Sequence, residues 1–215
     1  MANLVLNDFR RWALVPVLVA VAGCSPNSSA VVEPTHGPPA LEEADLLAQR
    51  LATMRVIERY RRQSEAVYDS LVVVWRARNP NRPAFASGSA TGFVPCAPLP
   101  FDAGSQIVGS AGGVFQFGPH RLDVPAGALS GPTSIGVMVT SALKSEVVLI
   151  PHGLKFKSPV RLTLAYGHCD QTAVHRVAYI DDSDNILEWP SSQDAVSTKL
   201  VDAYLTHFSK YAIAY

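Results

Sequence analysis

The chain is predicted to be mainly β, an antiparallel sandwich preceded by a helical segment and a secretion signal. Three observations predict it. Between Gly112 and Leu164 apolar residues recur at alternate positions: Leu122 and Val124, then Ile135, Val137 and Val139. Period-two spacing interrupted by Gly and Pro is the mark of short strands with one buried face. The interruptions have turn chemistry: Pro125-Ala126-Gly127-Ala128 and Pro151-His152-Gly153-Leu154 each set a Pro of fixed φ two residues before a Gly. Finally, 16 Pro and 14 Gly occur without a repeat period, which suits a turn-rich β protein and excludes collagen.

Residues 1–23 read as a signal peptide. Arg10 and Arg11 supply the positive start, and Trp12–Ala22 is an apolar run too short to span a bilayer comfortably. The run ends Val21-Ala22-Gly23-Cys24, which resembles a bacterial lipobox. Small residues there let a signal peptidase close on the chain, and the Cys24 thiol is the acyl acceptor, so lipidation at Cys24 and a membrane anchor are expected. Ser25 follows where an Asp would favour inner-membrane retention, so the expected location is the bacterial cell envelope, on the outer membrane. Residues 24–40, rich in Ser and Pro, read as a flexible tether.

Residues 41–78 change period. Glu42, Glu43 and Asp45 stand in a first helical turn, where the helix dipole favours acids. Leu47, Leu51, Met54 and Ile57 follow at helical spacing. Tyr60, Val67, Leu71 and Val74 extend the stripe across the interruption at Arg61-Arg62-Gln63-Ser64-Glu65, so the segment reads as one long helix or as two, and Pro80 ends it. A stalk, or a helix packed on the sandwich, is favoured over a helix that pairs with another chain, because no heptad is sustained. Residues 79–108 read as a Pro/Gly-rich linker. Residues 109–215 are the expected sandwich, with further strands at Val147–Ile150, Val160–Tyr166, Val174–Ile180, Ile186–Trp189 and Val201–Tyr215. Phe115, Val124, Ile135, Val137, Leu154, Phe156, Leu162 and Leu164 are expected in its core, with Trp189 in or beside it.

Composition narrows the function. Lys plus Arg and Asp plus Glu are equal at 18 each, so no basic field attracts nucleic acid. Neither Gly-Ser-Ala-Thr-Gly nor Gly-Ser-Ala-Gly-Gly places Ser as a hydrolase elbow requires. Asp181-Asp182-Ser183-Asp184-Asn185 is acidic, but it lacks the Gly and terminal Glu of a calcium loop and reads as a polar hairpin turn. His168, Cys169, Asp170 and His175 match no structural zinc spacing, so no metal site is expected. No cofactor and no small-molecule substrate are evident. With Cys24 lipidated, Cys96 and Cys169 remain, and an even pair in an oxidising compartment favours a disulfide.

The order of motifs adds a resemblance. Gly112-Gly113-Val114-Phe115, the Val124-Pro125-Ala126-Gly127-Ala128-Leu129 corner and the later run from Pro151 to Leu162 together resemble the ZU-five family. That β-sandwich module is named for zonula occludens proteins and netrin receptors, and it also occurs in ankyrins and bacterial envelope proteins. The resemblance covers about half of the chain and implies a sandwich with a binding or structural role and a protein partner. It also draws attention to His207-Phe208-Ser209 in the last strand, which is similar to the self-cleavage site of a death-domain protein whose ZU-five modules carry it. There His207 would take the Ser209 proton, and the hydroxyl would attack the Phe208 carbonyl. Simple packing is the favoured reading of the tripeptide. Leu205 and Phe208 would face opposite sides of a regular strand, so a bulge or twist is expected near Phe208.

Overall fold

The computed structural model describes residues 39–80, 92–170 and 174–215. The signal peptide, Cys24 and nearly all of the tether lie outside the described residues, as does most of the first half of the linker. Among the described residues a single helix, α1, runs from Pro39 to Arg78. Eleven strands follow: β1 (Asp102–Val108), β2 (Gly113–Phe117), β3 (His120–Val124), β4 (Thr133–Val139), β5 (Glu146–Ile150), β6 (Lys155–Ala165), β7 (Arg176–Ile180), β8 (Ile186–Glu188), β9 (Ser191–Ala195), β10 (Leu200–His207) and β11 (Lys210–Ala214). Among the described residues no helix is long and apolar enough to cross a membrane.

The strands form two sheets, ordered β1-β4-β5-β11-β7-β8 and β2-β3-β6-β10-β9, and every pairing is antiparallel. Phe117, Leu122, Ile135, Val137, Leu149, Leu162, Leu164 and Phe208 meet between the sheets in one core and are fully buried. β6 keeps the alternation of a one-sided strand, with Val160, Leu162 and Leu164 inward and Arg161 exposed. Every residue of β5 is buried, because that strand is covered on both faces.

The second cover is α1, which lies on the outer face of the six-stranded sheet. Ile57 packs with Met138, Val148 and Ile150, and Arg61 stacks over Phe101 at 5.4 Å. Burying Ile57 contributes up to about 1.5–3 kcal/mol. The rest of the contact is small and polar: Ser134 Oγ donates to Thr53 Oγ1 at 3.0 Å, Ser134 N–H to Gln49 Oε1 at 3.3 Å, and Ser141 N–H to Ser64 Oγ at 3.3 Å. Gly136 makes the close approach possible. A Cβ there would stand 2.9 Å from Thr53 Cγ2 and 2.8 Å from Ile150 Cγ1.

Side chains tie the margins of the two sheets together. At one margin Asp102 accepts the Gly118 N–H, and Gln106 donates to the Val114 carbonyl at 3.5 Å. At the other, the Val177 N–H donates to Ser192 Oγ at 3.2 Å and the His175 N–H to Asp194 at 2.9 Å. The Val114 carbonyl and the N–H groups of Gly118, His175 and Val177 are thereby engaged within the molecule.

The structure corrects several expectations. β1 lies inside the stretch read as linker; its residues are mostly small or polar because it is an edge strand, so it lacks the apolar alternation. Leu47 and Leu51 do not face the sheet, at 57% and 50% exposed, and Met54, 49% exposed, reaches only the edge strand β1, where its Sδ accepts from Ser105 Oγ at 3.4 Å; the packed face is set by Gln49, Thr53, Ile57 and Ser64. Leu154 and Phe156 are half-buried rather than core. Trp189 is exposed, with Arg176 4.5 Å above its ring. The strand expected over Val201–Tyr215 is two strands in different sheets, broken at Phe208-Ser209.

Candidate functional site

Phe208 and Ser209 form the step by which the chain leaves one sheet and enters the other. β10 pairs with β6 in regular register from Leu200 to Leu205, and the register shifts before His207 meets Lys155. From Lys210 onward β11 pairs with β5 and β7. The corner between β5 and β6 clamps this step. Phe208 N–H donates to the Leu154 carbonyl at 2.9 Å, the Phe208 carbonyl accepts from Gly153 N–H at 2.8 Å, and the Ser209 carbonyl accepts from Leu149 N–H at 2.9 Å. Gly153 adopts φ +77°, a conformation in which a side chain is strained, and so presents its amide to Phe208. The Phe208 ring is fully buried and meets Phe156 edge-on at 4.8 Å.

His207 is half-buried beside this peptide. Its Nε2 lies 3.4 Å from Glu188 Oε2, and its Nδ1 lies 3.4 Å from Tyr211 Oη and 3.5 Å from the Phe208 carbonyl oxygen. Tyr179 meets the ring edge-on at 5.0 Å. Tyr211 donates its hydroxyl to the His207 carbonyl at 2.7 Å, and burial, followed by the Glu188 charge and Tyr179, pushes the Tyr211 hydroxyl up, so it remains a donor. Ser209 is 8% exposed. Among the described residues no hydrogen bond joins the His207 ring to Ser209 Oγ. The arrangement thus holds the Phe208 carbonyl oxygen on a backbone donor, while an imidazole next to it is engaged by Glu188 and Tyr211. Proton transfer from Ser209 to His207 requires the ring to leave those partners.

The other polar residues singled out in the sequence are engaged elsewhere. Cys96 and Cys169 are joined in a disulfide across 73 residues, fixing the segment before β1 to the turn after β6. The His168 ring lies close to both sulfurs, the three potential ligand atoms falling within 4.8 Å of one another. With the sulfurs bonded together, neither is a thiolate ligand. His175 does not join this group: it stacks on Tyr166 at 4.0 Å, and its Nε2 lies 2.7 Å from the Asp170 carbonyl oxygen. His120 is buried, accepts the Ala165 N–H at its Nδ1, and is pushed down to about 3 by burial and by the neighbouring His168.

The acidic run from Asp181 to Asn185 is a turn. Asp181 accepts the N–H groups of Ser183 and Asn185, each at 2.8 Å. Asp184 pairs with Lys144 at 2.7 Å and Lys210 at 3.3 Å, and both lysines also reach Glu146. These carboxylates are already neutralised by ammonium groups and backbone donors.

Sequence reasoning isolated His207, Phe208 and Ser209 but missed Gly153, Leu154 and Tyr211, which define their geometry. Pro151-His152-Gly153-Leu154 was legible as a corner; that it faces Phe208 is a contact between residues more than fifty positions apart, and no local pattern encodes it. Searched against protein-family models and curated proteins, the chain matches none.

Proposed function

We propose that this chain is a bacterial cell-envelope lipoprotein, anchored to the outer membrane by lipid on Cys24, whose ZU-five-like sandwich acts as a binding or structural module. The observation that carries this reading is the division of labour in the described domain. The interior is packed with apolar side chains, its buried polar groups are largely paired with one another, and α1 leaves apolar side chains exposed. That distribution suits a surface that contacts another macromolecule better than a chamber for a substrate. The family reading rests on the three sequence motifs, of which the Pro125 corner follows β3 and the Pro151 corner joins β5 to β6. The test is fractionation with intact-mass analysis. Wild type is expected in the membrane fraction with a lipidated N-terminal Cys24, and Cys24→Ala is expected to leave it. A wild-type protein found soluble with an unmodified N-terminus refutes the reading.

A second reading is autoproteolysis between Phe208 and Ser209. It is favoured by one contact, the Gly153 amide on the Phe208 carbonyl oxygen, because a donor there would stabilise the oxyanion formed when Ser209 Oγ attacks. The balanced sequence moves the Ser209 proton to His207, breaks the Phe208–Ser209 amide in favour of an ester, and returns a proton to the new amine. Water then hydrolyses the ester. Incubated wild type would release Ser209–Tyr215 in denaturant, Ser209→Ala would stay whole, and Ser209→Cys would still cut. His207→Ala would slow the step by about 100-fold or more. Full-length wild-type mass after prolonged incubation eliminates this reading.

A further inference from the structure

The distal end of α1 extends past the sheet that holds its middle. The helix runs alongside β4 in the same direction, with Gln49 and Thr53 at Ser134, Ile57 at Met138 and Ser64 at Ser141. β4 itself ends at Val139. The segment from Glu65 to Arg78 therefore continues beyond the end of the strand by roughly 20 Å. It contains Leu71-Val72-Val73-Val74-Trp75, which distributes apolar side chains around the whole helix circumference. A helix apolar on all sides is normally buried on all sides. Here Val73 is 64% exposed, Val67 43% and Val74 36%.

We propose that this end of α1 docks against the same segment of a second copy of the chain, forming an antiparallel helix pair about a two-fold axis. Three features select that occupant. The spacing Ala66, Ser70, Val73, Ala77 is four, three, four, a heptad seam, and all four positions are exposed. Small residues along it let two helix backbones approach closely, with Val67 and Val74 closing one flank. The opposite flank carries Asp69 and Arg76, both exposed. In an antiparallel pair Ala66 of one copy faces Ala77 of the other and Ser70 faces Val73, so Asp69 of each copy reaches Arg76 of its mate. The surface is thus complementary to itself, as an isologous interface must be. An anionic bilayer would attract the arginines but repel Glu65 and Asp69, and the opposing charges on this segment fit a protein mate better.

This deepens the binding-module reading by naming its partner; it rests on that reading's claim of a macromolecular contact and is independent of the lipid. The experiment is sedimentation velocity of the full chain in density-matched detergent, run in parallel on Cys24→Ala. Both are expected to show a two-copy mass at micromolar concentration. Val73→Asp, at an exposed position that leaves the fold intact by circular dichroism, is expected to weaken self-association by about 100-fold or more. Asp69→Arg should weaken it about tenfold, and adding Arg76→Asp should restore it. A wild-type chain that is soluble with an unmodified N-terminus, yet keeps the two-copy mass, would defeat the lipid reading alone. A single-copy mass at all concentrations overturns the proposal. So does a two-copy mass that Val73→Asp leaves unchanged, or a single-copy chain that binds phosphatidylglycerol–phosphatidylethanolamine vesicles through Val73.

Discussion

On the six-stranded sheet, Met138, Val148 and Ile150 turn outward and lie under α1; on the five-stranded sheet, Arg121, Arg161 and Tyr204 turn outward and are exposed. The inner faces of the two sheets share one core, so what separates them is the presence of a third layer on one side. Where the layer is present, β4 and β5 become nearly continuous apolar runs, and the helix meets them through small polar groups and Gly136. Where it is absent, β6 alternates, and the outward positions are filled by ion pairs such as Arg121 and Arg161 on Asp123. Those pairs are partly exposed and add little stability. The comparison teaches that α1 is part of the fold along its middle, from Gln49 to Ser64, while its distal end is a different kind of surface.

The largest test of this contrast places a charge on each face. Val148→Asp buries a carboxylate beneath α1 and is expected to cost more than about 4 kcal/mol, whereas Tyr204→Asp on the open face should stay within about 0.5 kcal/mol. Urea unfolding midpoints measure both. Equal effects would mean that α1 does not cover the sheet in solution.

The disulfide ranks next. It joins residues 73 apart, and in the chain-entropy model a loop of that length restrains the unfolded chain by about 4 kcal/mol. Cys96→Ala with Cys169→Ala should lower the urea midpoint and steepen the transition, because the unbridged unfolded chain is more expanded and exposes more surface. An unaltered midpoint would show that the Cys96 segment is held by its other contacts alone.

A smaller effect belongs to the interior of the five-stranded side. Burial, then the neighbouring His168, holds folded His120 at about 3, well below its ordinary value of about 6.5. The unfolded chain therefore binds a proton that the folded chain refuses once the pH drops below about 6.5, and stability falls as pH falls, by up to about 1.4 kcal/mol per unit. The loss continues until the folded imidazole titrates near 3. His120→Asn keeps an acceptor for the Ala165 N–H and should flatten the slope between pH 6.5 and 4 while lowering stability at neutral pH. An unchanged slope would mean that His120 is solvated in the folded protein.

Legibility in the sequence followed the same division. Strands buried on at least one face, such as β3, β4 and β5, announced themselves through apolar residues and through the Pro/Gly corners between them. β1 and β9 were missed because edge strands carry Ser, Gln, Asp and Gly, residues equally at home in loops. The helix was recognised, and Ile57 and Tyr60 of the expected stripe do pack on the sheet, but the stripe's start does not. Hydrophobicity pointed to Leu47 and Leu51, while close packing chose Thr53 against Gly136 and Ser64 against the Ser141 backbone, and size outweighed apolarity at those contacts. The irregularity between Leu205 and Phe208 was visible as a conflict of faces. It was expected to be a bulge or twist, and the structure combines a register shift with a change of sheet.

By itself the sequence determined the alternation that makes a sandwich, the corners where φ is fixed by Pro or freed by Gly, the helical character of residues 41–78, and a pair of cysteines open to a bridge. These are local properties, readable because side-chain period and backbone restriction act over a few residues. Tertiary structure alone decided how much of the apolar stripe of α1 meets the sheet, that Phe208 is clamped by Gly153 and Leu154, that His207 turns to Glu188 and Tyr211, and that α1 continues past the end of β4 with Val67, Val73 and Val74 exposed. Each depends on residues far apart in the chain being brought within hydrogen-bonding or packing distance, and contacts of that kind leave no period in the sequence.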